Sequence, residues 1–417
     1  MIYETYTYER KINNMYSIDT MPVVYKYYPE FDPSEYPYVK AILYDGMTIG
    51  TKKTKVFAYI GFPEQVAGPV PAVVLVHGGG GHASAQWVAE WNARGFAAIS
   101  MDTTGFYPDA QVANGWHYGL YGSFKEMAYT DAPTNDGSMV HGVASDVEQN
   151  WLYHAVADAI IARKILADQA NVFSDKIGIC GVSWGGIITS LVIGYDSNFA
   201  FAVSIYGSGY LSPQYTLGSI AKNFTHESVQ SRWLAEKRFA NVKMPVLWLC
   251  WNDDNNFSIQ GNTRSYLDTC DANGETRLSI VHNMGHGGAA ARKRPESILF
   301  ASAAVTGNPT LPKLLTHPVG RQFTVDVDYN KDFTASVYYI TSPMTYSVHS
   351  KFSTFGGGKA LTYMDQEWCI LPCDIEKLDN RNRVKGCLPE NAAGYYIEIK
   401  TEIDGEEFVI SSGYTEI

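Results

Sequence analysis

Ser183 sits in Gly181-Val182-Ser183-Trp184-Gly185-Gly186, a G-x-S-x-G pattern between an apolar run ending at Cys180 and an apolar stretch beginning at Ile187. A serine on a sharp strand-to-helix turn has its hydroxyl exposed above a sheet, and glycines beside it remove side chains that would collide there. The helix that follows points its positive end at the same spot. Such a serine attacks a carbonyl carbon, and it needs partners to do so. Backbone N–H donors for the resulting oxyanion are expected from His77-Gly78-Gly79-Gly80-Gly81, with Gly79 first, Gly80 next, and the N–H of Trp184 completing the set. His77 reads as a brace for this loop. A base is expected after the last core strand, in Val281-His282-Asn283-Met284-Gly285-His286-Gly287-Gly288. His286 is preferred, because a glycine-rich loop lets it lean across to Ser183, whereas His282 ends the strand and reads as a packing residue. An acid that holds the imidazole tautomer belongs between serine and base, in Trp251-Asn252-Asp253-Asp254-Asn255-Asn256-Phe257. Asp253 and Asp254 both qualify, and Asp254 is preferred.

These residues need a scaffold, and the hydrophobic pattern supplies one. Ala72-Val73-Val74-Leu75-Val76, Ala97 to Met101, Lys176 to Cys180, Phe201 to Ile205, Val246 to Cys250 and Leu278 to Val281 are short apolar runs, as expected of strands buried on both faces. Between them Trp87 to Arg94, Trp151 to Asp168 and Ile187 to Tyr195 read as helices, the second of them amphipathic. Strand and helix in alternation predict an α/β fold, a mostly parallel sheet with helices on both faces. Ahead of it, Tyr38 to Tyr44 and Thr54 to Ile60 alternate as antiparallel strands do. From about residue 309 the pattern changes to alternating strands at Phe323 to Asp328, Ala335 to Ile340, Tyr395 to Ile399 and Glu407 to Ile410, a C-terminal all-β module of sandwich type. The expected division is a β-rich extension over 1–68, a catalytic domain over 69–305 and the β module over 309–417.

Composition narrows the class. The 417 residues are 46% hydrophobic and 18% charged, which excludes a disordered chain. A net charge of −11 with scattered Lys and Arg argues against nucleic acid as a partner. No apolar run is long enough to span a membrane, and the polar N-terminus does not read as a signal peptide, so the cytoplasm is expected. Six cysteines are few, and Cys369, Cys373 and Cys387 lack the paired spacing of a zinc site, so no metal and no cofactor are expected.

The order of a strand with His77-Gly78-Gly79-Gly80-Gly81, then Gly-Val-Ser183-Trp-Gly-Gly, an Asp loop and Met284-Gly285-His286-Gly287 resembles the α/β-hydrolase superfamily. Asn171 to Gly186 is similar to the acetyl xylan esterase, dienelactone hydrolase and prolyl-oligopeptidase-like branch. The resemblance covers about residues 69 to 305. It implies Ser183 as nucleophile, Asp254 as acid, His286 as base, and Gly79 and Trp184 as oxyanion donors. The acid loop departs from the family pattern, which has Gly where Trp251 stands and Pro where Ser258 stands.

Two aromatic insertions are expected to wall the site. Gly105 to Asn150 has no clear element and carries Trp116, Tyr118 and Tyr121, the expected substrate contacts; Gly209 to Asn241 holds Phe224, Trp233 and Phe239. The leading expectation is a carboxylic-ester hydrolase acting on a small-molecule ester or an acetylated carbohydrate. A serine exopeptidase is second, lowered by the absence of room for a β-propeller before the core. A non-catalytic binding protein is third. The oligomeric state is left open.

Overall fold

In a computed structural model, the structure describes residues 18, 21–49, 51–64, 67–109, 111, 115–118, 150–212, 215, 220, 223–224, 230, 232–254, 256–344, 346–349, 360–363 and 366–417. Nine strands make the central sheet: β1 (Tyr25–Tyr27), β2 (Val39–Ile49), β3 (Lys52–Gly61), β4 (Val70–Val76), β5 (Ala97–Met101), β8 (Val172–Val182), β9 (Ala202–Ile205), β10 (Val246–Trp251) and β11 (Arg277–Val281). The labels β6 (Phe106–Pro108) and β7 (Trp116–Tyr118) belong to a hairpin outside that sheet. The spatial order is β1-β2-β3-β5-β4-β8-β9-β10-β11. Strands β5, β4, β8, β9, β10 and β11 run parallel, and β1 to β3 add an antiparallel edge. The segment before residue 69 therefore extends the same sheet through the β3–β5 pairing.

The helices are α1 (Ala85–Asn92), α2 (Trp151–Ala167), α3 (Trp184–Tyr195), α4 (Ile259–Asn273), α5 (Gly288–Arg292) and α6 (Glu296–Thr306). Alternation along β8 shows both faces covered. Gly181 turns toward Thr189 of α3, while Cys180 turns toward the cleft between α1 and α6. The continuous apolar runs of the parallel strands are buried along nearly their whole length, because helices lie on each side.

Helix α2 corrects an expectation. It reads as amphipathic, yet almost every one of its side chains is buried, because β2 packs on it in addition to the central strands. Its polar residues find partners inside: Arg163 Nε donates to Asp196 Oδ2 at 2.8 Å. Asp158 departs from this. Its Oδ1 is buried without a hydrogen-bond partner among the described residues. Burial, with the charge of Asp102 nearby, lifts its carboxyl well above the usual carboxylate range. A carboxyl raised on folding binds its proton more tightly in the folded chain. The Asp158 contribution to stability therefore falls as pH climbs above the unfolded value of about 3.9. Asp158→Asn removes this loss, so the difference in Tm, variant minus wild type, is expected to grow between about pH 4 and about pH 8. Thermal melts across that range check it, and a pH-independent difference would refute it.

The C-terminal strands are β12 (Lys313–Leu314), β13 (Gln322–Asp328), β14 (Thr334–Ile340), β15 (Tyr346–His349), β16 (Ala360–Tyr363), β17 (Cys369–Pro372), β18 (Asp374–Lys377), β19 (Asn382–Cys387), β20 (Gly394–Ile403), β21 (Glu406–Ser411) and β22 (Thr415–Glu416). A sheet ordered β12-β13-β19-β18 and one ordered β17-β14-β20-β21 share a single apolar cluster, with Val325 and Val384 from one and Val337, Ile397 and Phe408 from the other. The module docks on the edge strand β11: the N–H of Ile280 donates to Ser411 Oγ at 3.0 Å. Among the described residues no helix is long and apolar enough to cross a membrane.

Candidate active site

The strand β8 ends at Val182, and α3 begins at Trp184. Ser183 alone makes the corner, with φ 57° and ψ −115°, a region a non-glycine residue enters only under constraint. Two bonds hold it there: its N–H donates to Ile205 O at 2.8 Å, and its carbonyl accepts from the N–H of Ile187 at 3.0 Å. The flanking glycines permit the corner by close approach. A Cβ on Gly185 would lie 2.0 Å from Val76 O, and one on Gly181 would lie 2.0 Å from Gly185 O.

His286 Nε2 lies 3.1 Å from Ser183 Oγ, and His286 Nδ1 lies 2.7 Å from Asp254 Oδ2. The carboxylate draws the imidazole proton to Nδ1, which leaves Nε2 free to accept from the serine hydroxyl. The His286 ring lies between Tyr206, at 4.6 Å, and Phe257, stacked at 6.1 Å. Gly285, at φ 75°, turns the loop that delivers it. Asp254 is fully buried, and its Oδ1 accepts from the N–H groups of Asn256, at 2.8 Å, and Phe257, at 3.1 Å.

The two alternates point elsewhere. Asp253 accepts from Trp368 Nε1 and from Asn252 Nδ2, each at 2.8 Å. His282 meets Asn252 at 3.2 Å and packs its ring against Tyr338 of the β module at 5.4 Å. Where the family has Pro, Ser258 caps α4: its Oγ accepts from the N–H of Gly261 at 2.9 Å.

The glycine loop lies against the same corner. A Cβ on Gly78 would meet Ser183 Cβ at 3.1 Å, and one on Gly79 would meet Trp184 Cδ1 at 2.8 Å. Gly80 follows at φ 71° in open space. Trp184 is the first residue of α3, so its N–H has no acceptor within the helix. His77 braces the loop through both ring nitrogens: Nδ1 meets Gly78 O at 2.8 Å, and Nε2 accepts from the N–H of Thr103 at 3.0 Å. Burial pulls the His77 pKa down, which suits a neutral ring used for bracing.

Of the expected substrate contacts, Trp116 lies on β7 and stacks on His82 at 4.5 Å; Tyr118 pairs through its backbone with Phe106; Tyr121 lies outside the described residues. The segment after β5, expected to carry no element, thus contains the β6–β7 hairpin. In the second insertion Phe224, Trp233 and Phe239 are core residues. Phe239 packs on Trp248 of β10 and Phe224 on Trp184, so the burial of sheet and helix surface claims them. Sequence reasoning missed a second imidazole–carboxylate pair, His82 Nδ1 to Asp102 Oδ2 at 3.2 Å. Its signal was visible: one residue directly follows the glycine run, and the other directly follows a buried strand.

The family model described as Acetyl xylan esterase (AXE1) matches residues 17–215, and that of the Prolyl oligopeptidase family matches residues 137–302. No curated protein matches the chain. Among solved structures, an acetyl xylan esterase from Paenibacillus sp. R4 is 16% identical at a TM-score of 0.52, covering 71% of this chain and 94% of that one. Acetyl Xylan Esterase 1 from Thermoanaerobacterium sp. JW/SL YS485 is 14% identical at a TM-score of 0.46, covering 66% of this chain and 86% of that one. A puromycin-hydrolyzing peptidase of Mycobacterium tuberculosis is 17% identical at a TM-score of 0.47, covering 66% of this chain and 41% of that one. The first of these likenesses shows the fold, and both family matches contain Ser183. The chain is a serine hydrolase with the fold of the α/β-hydrolase superfamily, similar to the acetyl xylan esterases over residues 17–215 and to the prolyl oligopeptidases over residues 137–302.

Proposed function

We propose that this protein hydrolyses carboxylic esters through an acyl-enzyme, with small acyl esters or acetylated carbohydrates as substrates. The observation that carries the reading is the unbroken contact from Ser183 Oγ to His286 Nε2 at 3.1 Å and from His286 Nδ1 to Asp254 Oδ2 at 2.7 Å. Ser183 Oγ attacks the acyl carbon while His286 Nε2 takes its proton. The carbonyl oxygen becomes an oxyanion facing the N–H groups of Gly79, Gly80 and Trp184. Collapse of the tetrahedral intermediate expels the alcohol, which leaves with the proton from His286. Water then attacks the acyl-serine as His286 takes its proton, and collapse releases the carboxylic acid while His286 returns the proton to Ser183 Oγ. Asp254 accepts from His286 Nδ1–H throughout and steadies the imidazolium. Every step uses groups of this chain and water.

The ester reading is supported by the acetyl xylan esterase match, which takes in the N-terminal strands, the glycine loop and Ser183. An exopeptidase is the second reading. The prolyl oligopeptidase match favours it, because it contains Ser183, Asp254 and His286 together. A panel of p-nitrophenyl acyl esters, acetylated sugars and aminoacyl anilides separates the two. The expected outcome is turnover of short acyl esters with anilide rates lower by about a hundredfold or more. Faster turnover of anilides than of esters would transfer the protein to the peptidase reading.

A further inference from the structure

The His82–Asp102 pair stands at the far end of the glycine loop and has no part in the mechanism above. Asp102 is fully buried, and its Oδ1 accepts from the N–H of Thr104 at 2.8 Å, the Thr104 hydroxyl at 3.0 Å and the N–H of Phe106 at 3.0 Å. A carboxylate fixed by three donors sets the orientation of whatever meets its other oxygen. That group is His82 Nδ1, at 3.2 Å. The imidazole also stacks on Trp116 at 4.5 Å and 18°, and meets Phe106 at 4.8 Å. Its position and tilt are therefore both determined. The opposite ring nitrogen, Nε2, has no hydrogen-bond partner among the described residues, and the side chain is 23% exposed. Because Asp102 holds the proton on Nδ1, Nε2 presents a lone pair outward and calls for a donor. An anion is disfavoured beside the Asp102 carboxylate.

Strand register places the carboxylate that anchors this imidazole. Val76 of β4 is level with Met101 of β5 and with Gly181 of β8. Asp102 and Ser183 follow those two residues by one and two positions, so both stand on the same rim of the sheet. The strands β5 and β8 flank β4, and at about 4.8 Å per strand the two residues lie roughly 10 Å apart along that rim. This span sets the carboxylate that anchors His82 apart from the reacting carbonyl at Ser183. It matches the distance from that carbonyl to a non-reacting part of an extended substrate.

We propose that His82 is a specificity-determining residue whose Nε2 accepts a hydrogen bond from a hydroxyl of the substrate remote from the cleaved ester. The preferred substrates are then esters of polyhydroxylated alcohols long enough to reach from Ser183 to β5. The proposal rests on the ester-hydrolase reading and names the part of the substrate that the site selects.

The test compares wild type with His82→Ala, His82→Phe and His82→Asn on p-nitrophenyl acetate and on an acetylated disaccharide. The phenylalanine variant keeps the stacking on Trp116 and has no lone pair; the asparagine variant keeps a donor for Asp102, and its one side-chain acceptor, Oδ1, ends short of the Nε2 position. The rate at which a fluorophosphonate labels Ser183 reports the integrity of the corner and loop. In all three variants the ratio of kcat/KM on the disaccharide to kcat/KM on p-nitrophenyl acetate is expected to fall about tenfold, mostly through KM, while labelling keeps pace with wild type. An unchanged ratio overturns the proposal. So does a parallel loss on both substrates with slowed labelling, which would make His82 a brace for the loop. Wild type that cleaves p-nitrophenyl acetate but no acetylated disaccharide overturns it too and leaves the ester reading standing. Wild type that cleaves no ester removes both, and does so before any variant is compared.

Discussion

Ser183→Ala is expected to lower kcat on any ester the wild type cleaves by a factor on the order of 10⁶, leaving substrate binding largely intact. The change removes the one oxygen placed 3.1 Å from His286 Nε2 and disturbs little else. Alanine keeps the Cβ, so the corner at φ 57° and ψ −115° stays as constrained as before. The oxyanion donors and the imidazole remain, and with them a residual acceleration of about 10³–10⁴ over water. A fluorophosphonate that labels wild type should leave the variant unmodified. Ser183→Gly gives a second reading of the same corner. It loses turnover equally, and it is expected to melt higher, because a non-glycine residue in such a conformation stores on the order of 1–3 kcal/mol. Retention of turnover within about tenfold in either variant would refute the nucleophilic role.

How far the sequence reveals this molecule depends on the kind of signal each part carries. The parallel strands are legible because burial on both faces writes itself as runs such as Ala72 to Val76. The corner at Ser183 is legible because its close approaches admit only glycine at Gly181 and Gly185. The extent of α2's burial is not legible. Its surroundings come from β2, more than a hundred residues away in the chain, and no local period records them. The short strands β15 to β18 escape for a similar reason: four residue pairs of register hold each one, and alternation over so few residues is weak. His82 and Asp102 were in plain view as residue types. What the sequence lacks is the fold of the β5–β6 turn, whose backbone N–H groups and Thr104 hydroxyl fix the carboxylate and give the imidazole its direction. A catalytic motif is thus readable from a turn and its spacing, while a binding residue becomes readable only when distant strands are set side by side.

Asp254→Asn is expected to lower kcat by about 10⁴, and kcat/KM by as much, while Asp253→Asn costs about tenfold or less. The difference follows from what each carboxylate faces. Asp254 Oδ2 accepts the Nδ1 proton of His286 at 2.7 Å, and Oδ1 is committed to the N–H groups of Asn256 and Phe257. An asparagine here keeps its carbonyl oxygen on those two donors, so its amide nitrogen turns to the imidazole. Two donors then face each other, and relief comes only if His286 carries its proton on Nε2 instead. In that tautomer the ring cannot accept from Ser183 Oγ, and the serine is left without its base although every atom is nearly in place. Asp253 faces Trp368 and Asn252, away from the imidazole. Its amide variant loses part of a contact between the acid loop and the β module, a loss that belongs in Tm more than in kcat. Combining Asp254→Asn with Ser183→Ala should add almost nothing to the serine variant alone, because the carboxylate acts only through the base and the base only through the serine. A larger effect from Asp253→Asn than from Asp254→Asn, or full additivity in the double variant, would overturn the assignment of Asp254 as the acid.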